Sequence, residues 1–334
     1  MTTLKNKATG CDNWKSILRH SYLSWEVLLK YLNLKPDQIQ IDDTSRHTFP
    51  FKVTRQYASR IQKGDPKDPL LRQIIPLAEE KISHPDYQDD PLGEIGHRFG
   101  SSFLIKKYKG RALMITTGSC AIHCRYCFRK NFPYTEKIGR QKILLALDEL
   151  QNLSEIDELI LSGGDPLILE DLKLDAILNC LSELPHIRRV RIHTRIPAVF
   201  PPRITPSLLR VLSNRRYSLV LVTHINHPNE IDGEVRAAIN ALRQNQITLL
   251  NQSVLLKGVN DNHDTLRNLS NKLFEIGILP YYIHMLDKVT GTTHYEVTRR
   301  KAKSLKKLLY ASLPTYLVPR FVEEIPGAPS KNPI

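Results

Sequence analysis

Between Gly118 and Lys130 the chain reads GSCAIHCRYCFRK, which puts Cys120, Cys124 and Cys127 on one short segment in a C-x3-C-x2-C spacing. The whole chain has five cysteines. An odd total and this close spacing argue against disulfides and for metal ligands or redox thiols. Zinc takes four ligands, usually as two pairs, and no second pair accompanies this one. His123 falls among the cysteines without an evident reach to the same metal. Three thiolates on one loop suit three irons of a cubane [4Fe–4S] cluster, leaving the fourth iron open to bind a ligand and pass it an electron. A structural zinc is the alternative. Cys11 and Cys180 stand alone and read as core or surface thiols.

Something must hold that segment at a site, and the pattern around it supplies the frame. From residue 111 short β-rich runs alternate with amphipathic helical stretches. The runs are RALMITT (111–117), ELILSG (158–163), VRIHT (190–194), YSLVLVTH (217–224), ITLLNQSVLL (247–256) and LPYYIHML (279–286). Between them lie QKILLALDELQNL, DLKLDAILNCLSEL, TPSLLRVLSN, GEVRAAINALRQN and HDTLRNLSNKLFEIG. Six strands separated by helices predict repeated βαβ units on a parallel sheet, and right-handed crossovers curl such a series toward a full or partial barrel. The cysteines follow the first strand and SGGDP (162–166) the second; His224 closes the fourth, Asn251 and Gln252 lie in the fifth, and Asp287 follows the sixth. The rim formed by strand ends is where such barrels build their sites.

Before this frame, residues 1–100 read as a mainly helical region: WKSILRHSYLSWEVLLKYLNL (14–34) keeps a helical apolar rhythm, and KGDPKDPLLRQIIP (63–76) is a proline-broken loop leading inward. Residues 101–318 read as the barrel and 319–334 as a short carboxyl-terminal segment. The composition, 41% hydrophobic and 25% charged over 334 residues, is that of a soluble globular protein. No run approaches the ~20 apolar residues of a membrane span, and the amino terminus has no signal-peptide core, so a cytoplasmic protein is expected. The net charge of +14 suits a nucleic acid, an acidic protein, an anionic cofactor or a solvated surface. Its densest run, RRKAKSLKKLL (299–309), keeps helical apolar spacing and reads as an outward helix face.

The C-x3-C-x-aromatic-C motif after the first strand resembles the radical S-adenosylmethionine (SAM) enzymes. The resemblance implies that Cys120, Cys124 and Cys127 hold a [4Fe–4S] cluster whose open iron binds SAM, with Tyr126 near the adenine. It likewise implies that Gly163, Gly164 and Asp165 lie along the methionine moiety. CRYCFRK, SGGDPL, THINHPNE (223–230), NQSVLLKGVND (251–261) and the terminal PSK together resemble the lysine 2,3-aminomutases, from about residue 60 to the end of the chain. These also use pyridoxal phosphate (PLP). Moving an amino group from C2 to C3 has no easy polar route, because the hydrogen on C3 is not acidic. A deoxyadenosyl radical removes that hydrogen, and PLP, held as an imine, gives the nitrogen a path. Lys331 matches the lysine that carries PLP as a Schiff base. Arg111, His224 and Gln252 match positions that line PLP, and Lys107 stands where the family often has a further arginine.

The same resemblance implies that Arg129 grips the substrate carboxylate with its planar fork. Asp287 and Glu324 would receive the ammonium at the far end of L-lysine; Glu324 stands where aspartate is common. The motifs CRYCFRK-x-FPY, INHPNEID and PSKNP resemble the compact bacterial subgroup that makes (R)-β-lysine from (S)-α-lysine. In that subgroup a ligase attaches the product to a lysine of translation elongation factor P. The implied protein is an isomerase with a partial (β/α)6 radical SAM barrel, supplied with electrons by a flavodoxin or ferredoxin. A homo-oligomer, with the amino-terminal region in subunit contact, is compatible with it. Alternatives are β-lysine for catabolism or osmolyte synthesis, a radical SAM RNA-modifying enzyme, and a zinc or iron–sulfur binding module. The RNA reading leaves Lys331, Asp287 and Glu324 without a purpose, so nucleic acid is not the expected partner, and the binding module explains the cysteines alone.

Overall fold

The computed structural model describes residues 13–41, 50–94, 96, 103–132 and 140–334; Cys11 lies outside them. Among the described residues nine strands form one sheet in sequence order. They are β1 (Leu104–Tyr108), β2 (Arg111–Thr117), β3 (Glu158–Gly163), β4 (Arg189–Thr194), β5 (Ser218–His224), β6 (Thr248–Val254), β7 (Leu279–His284), β8 (Arg320–Glu323) and β9 (Asn332–Pro333). The six strands read from the sequence are β2 to β7, each paired in parallel with the next. β8 extends the parallel series. β1 folds back on β2, and β9 folds back on β8, both antiparallel. The order runs from β1 to β9 without a ladder joining these two edges among the described residues, so the barrel is partial.

The physical cause is the pattern itself. The middle of β3, Leu159 to Ser162, is buried throughout, as expected of a parallel strand covered on both faces. Each crossover helix contributes one apolar face: Val235, Ala238, Ile239 and Leu242 are buried in Gly233–Gln244, and Leu266, Leu269 and Leu273 in His263–Glu275. Helix Arg299–Ser312 buries Ala302, Leu305 and Leu309, and Lys301, Lys303 and Lys307 are exposed, so the densest basic run is an outward face. Cys180 is a surface thiol on helix Asp171–Ser182.

The amino-terminal region holds short helices, Asn13–Arg19, Trp25–Tyr31, Arg55–Ala58 and Pro69–Arg72, joined by irregular chain. Its apolar residues do not form a core of their own. Trp14, Leu28, Leu70 and Ile74 belong to one cluster with Met114, Leu161, Ile192 and Leu221 of the sheet. Arg203, fully buried, lies over the Trp14 ring and donates to the carbonyls of Leu167 and Leu169 at 2.7 and 2.8 Å. The carboxyl terminus is tied down too: Ile334 N donates to Phe321 O at 3.0 Å, and Lys306 Nζ donates to Ile334 O at 2.6 Å. The β8–β9 hairpin therefore fixes the segment that carries Lys331.

Leu28, with no exposed surface, tests the shared core. Leu28→Ala should lower stability by about 2–5 kcal/mol, within one urea transition that also reports the barrel. A separate early transition would instead show an independently folding amino-terminal unit.

Candidate active site

Every site residue expected from the sequence, from Arg111 on β2 to Lys331 before β9, lines one cavity of about 440 Å³. The cysteine loop leaves the end of β2, and the amino-terminal region braces it. His123 N donates to Lys52 O at 2.9 Å, and Arg125 N to Gln73 O at 2.9 Å. The His123 ring lies 2.7 Å from Pro50 O, and Lys52 Nζ donates to Cys120 O at 2.8 Å. Arg125 grips Glu80 through two bonds of 2.8 and 2.5 Å. Pro50, Lys52, Gln73 and Glu80 thus have a task that their own sequence did not display.

The glycines of SGGDP are set by backbone packing. Gly163 has φ +116, and a Cβ there would lie 2.5 Å from Thr117 O. At Gly164 a Cβ would lie 2.3 Å from Ser119 O and 2.8 Å from the Gly118 carbonyl carbon. Only a hydrogen fits between β3 and the cysteine loop. Gly164 N and Asp165 N then donate to Thr117 O and Ser119 O at 2.6 and 2.9 Å. The Asp165 carboxylate is buried and accepts from Thr194 Oγ1, Arg195 N, Ile196 N and Leu167 N, at 2.7 to 3.2 Å. It ties the ends of β3 and β4 together.

Tyr126 and His224 stack with ring centroids 5.8 Å apart and an interplanar angle of 28°. Tyr126 Oη accepts from Asn226 Nδ2 at 2.7 Å, and His224 is paired in register with Gln252. Burial, with Arg195 nearby, pushes the His224 imidazole down to about 3, so it is neutral at physiological pH. Arg129 is buried and engaged through all three guanidinium nitrogens: Nε and Nη2 clasp Glu94 at 2.6 and 2.8 Å, and Nη1 donates to Ser162 Oγ at 2.9 Å.

Lys331 Nζ pairs with Glu324 Oε2 at 2.6 Å and lies 5.8 Å from the Tyr282 ring centroid. Tyr108 Oη donates to the other Glu324 oxygen at 3.1 Å, a side-chain contact between β1 and the chain just past β8. Arg111 lies over Tyr108, 5.3 Å from its ring centroid. His193 and His284, which also line the cavity, each keep a buried Nε2 without a hydrogen-bond partner. Burial holds both rings well below the usual histidine range, with Arg191 adding to the effect at His193 and Lys331 at His284.

The chemistry of this lining suits a cationic cluster and an anionic cofactor. Burial, Asp165 and the two other thiols raise Cys120 well above the usual thiol range. Burial and then Cys124 push Cys127 up to about 11. Three thiolates gathered here need positive charge, and iron ligation supplies it. Among the described residues no three His, Cys, Asp or Glu side chains gather as for a single ion. Arg111 and Lys331, with the two unpartnered histidine nitrogens, offer cations and polar contacts to a phosphate-bearing group. Sequence reasoning missed Glu94, His193, Arg195, Glu230 and His284. A search for polar residues at every strand end would have reached Arg195 and His284; Glu230 stands inside the THINHPNE motif without being singled out there, and Glu94 has no such signal.

A partial parallel barrel with this cysteine loop defines a radical SAM protein, and the Radical SAM superfamily profile matches residues 114–269. The chain belongs to the lysine 2,3-aminomutase family. It is 44% identical over 322 residues to the L-lysine 2,3-aminomutase of Haemophilus influenzae, covering 96% of this chain and 95% of that protein. It is 42% identical to that of Escherichia coli, covering 97% and 94%. Against that of Clostridium subterminale it is 34% identical, covering 97% of this chain and 78% of the relative.

Gly164→Ala should displace the cysteine loop. The expected outcome is a lowered Tm and loss of most iron bound after anaerobic reconstitution, measured per folded chain. Full iron content in a folded Gly164→Ala protein would contradict the packing argument.

Proposed function

We propose that this chain is an isomerase that converts (S)-α-lysine to (R)-β-lysine by a 1,2-amino shift, using a [4Fe–4S] cluster, SAM and PLP. The observation that carries the proposal is the single cavity lined both by the three thiols and by the Glu324–Lys331 pair. When bound, these groups supply a radical able to remove an unactivated hydrogen and a π-system across which nitrogen can migrate.

The chain's own residues then divide the work. Cys120, Cys124 and Cys127 hold the cluster, and Gly163 and Gly164 let their loop close against β3. Asp165 fixes the β3 and β4 ends behind the SAM position, where Tyr126 offers an aromatic face. His224 and Gln252 border the PLP position, and Arg111 meets the phosphate. Because His224 is neutral, it adds no positive charge where a sulfonium and a substrate ammonium must enter. Lys331 holds PLP between turnovers. Its present ion pair with Glu324 shows that this carboxylate accepts an alkylammonium at hydrogen-bonding distance. Glu324 would take the ε-ammonium of lysine, with Asp287 alongside. Arg129 binds the substrate carboxylate, which must share the guanidinium with Glu94 or displace it.

No helix among the described residues is long and apolar enough to cross a membrane. A cytoplasmic setting, a flavodoxin or ferredoxin as electron donor, and delivery of β-lysine through a ligase to elongation factor P complete the proposal. The link to elongation factor P rests on the family resemblance of the FPY, INHPNEID and PSKNP motifs, the donor on the need of a radical SAM enzyme for an electron, and the cytoplasmic setting on the amino-terminal sequence. Residues 1–100 serve as the brace of the cysteine loop, 101–318 as the barrel and 319–334 as the segment presenting Lys331.

The test is anaerobic reconstitution with iron, sulfide and PLP, then SAM, a reductant and L-lysine, with β-lysine detected by chromatography and mass spectrometry. Wild type should form β-lysine. Lys331→Ala should form none and lose the borohydride-trapped PLP adduct while keeping its iron. Changing any one of Cys120, Cys124 and Cys127 to Ala should abolish SAM cleavage. Product from Lys331→Ala, or cleavage by a cysteine variant, would overturn the assigned roles.

A further inference from the structure

Arg195 follows β4 and is only 7% exposed, yet it lines the cavity. Nη1 donates to Cys124 Sγ at 2.7 Å. Nη2 donates to Gln73 Oε1 at 2.6 Å and to Glu230 Oε2 at 3.0 Å. The buried Nε has no partner. Its backbone N is held by Asp165 at 2.7 Å. Glu230 has no exposed surface, and its other oxygen accepts from Asn226 N and His227 N at 2.9 and 3.1 Å. The guanidinium is therefore clamped from one side by a buried, fully bonded carboxylate, and one of its N–H groups is committed to a sulfur.

We propose that Arg195 raises the reduction potential of the iron–sulfur cluster by donating a hydrogen bond to the Cys124 thiolate. The inference rests on the reading that Cys124 is a cluster ligand. Reduction adds one electron, [4Fe–4S]²⁺ + e⁻ → [4Fe–4S]⁺, supplied by an external one-electron reductant. The added negative charge spreads onto the sulfurs. A donor fixed at a sulfur, carrying positive charge in a water-poor site, stabilises the reduced form more than the oxidised one. Glu230 compensates the buried guanidinium through Nη2, whereas the sulfur is met by Nη1. The unpartnered Nε leaves a second donor for an acceptor of the bound groups. Arg195 is a tuning residue and takes no part in the bonds that break or form.

The test is a redox titration of the reconstituted protein without lysine, using dithionite as reductant and the EPR signal of the reduced cluster as readout. Arg195→Gln should make the midpoint more negative by at least about 59 mV, a tenfold change in the one-electron equilibrium. Arg195→Lys, which keeps charge without the planar fork, should fall between. With arginine labelled by ¹⁵N at the guanidinium alone, the reduced wild-type cluster should show a ¹⁵N hyperfine coupling that disappears in Arg195→Lys. An unchanged midpoint in an Arg195→Gln protein with a complete cluster would overturn the inference, as would the absence of ¹⁵N coupling in wild type. Should Arg195→Gln fail to hold a cluster, the loss or persistence of that coupling in Arg195→Lys decides. A wild-type protein that assembles no [4Fe–4S] cluster would instead defeat the parent reading of the cysteines.

Discussion

The site depends on one backbone contact, the approach of Gly163 and Gly164 to residues 117–119. The gap leaves no room for a Cβ, so the cysteine loop and the end of β3 are locked in one arrangement. Asp165 carries that arrangement to β4 through Thr194, Arg195 and Ile196. Arg195 returns it to Cys124. The loop is therefore held in a closed circuit of backbone and side-chain bonds, with the amino-terminal region as a second brace at Lys52 and Gln73. Positioning of this kind, by rigid elements and satisfied neighbours, is what a reactive site needs.

The strands were legible because parallel strands buried on both faces read as apolar runs. The expected RALMITT and ELILSG match β2 and β3 to the residue. β1, LIKKY, mixes apolar residues with lysines at an edge, and β8 is four residues long. β9 is two residues including a proline and exists only through its pairing with β8. None of these carries a periodic signal of its own.

In the site, motif-borne residues were legible and their second partners were not. Cys120, Cys124, Cys127 and Gly164 announce themselves by spacing. Glu94 lies 35 positions from Arg129, and Gln73 lies 122 positions from Arg195. A buried polar contact between distant segments leaves no local pattern in either segment. Lys331 is the converse case: a residue near the chain end reads as frayed, yet the β8–β9 hairpin and the Ile334–Phe321 bond hold it beside Glu324.

Charge gives the cavity its logic. Neutral histidines, buried thiols that iron would deprotonate, and a carboxylate already holding one alkylammonium prepare it for a cationic substrate and its cofactors, the anionic one included. The central claim is that nitrogen moves within one lysine molecule in this cavity. The most direct measurement supplies the reconstituted protein with L-lysine carrying ¹⁵N only on C2 and follows the label by NMR. The account predicts that the ¹⁵N appears on C3 of the product. Label retained on C2, or released as ammonia, would contradict it.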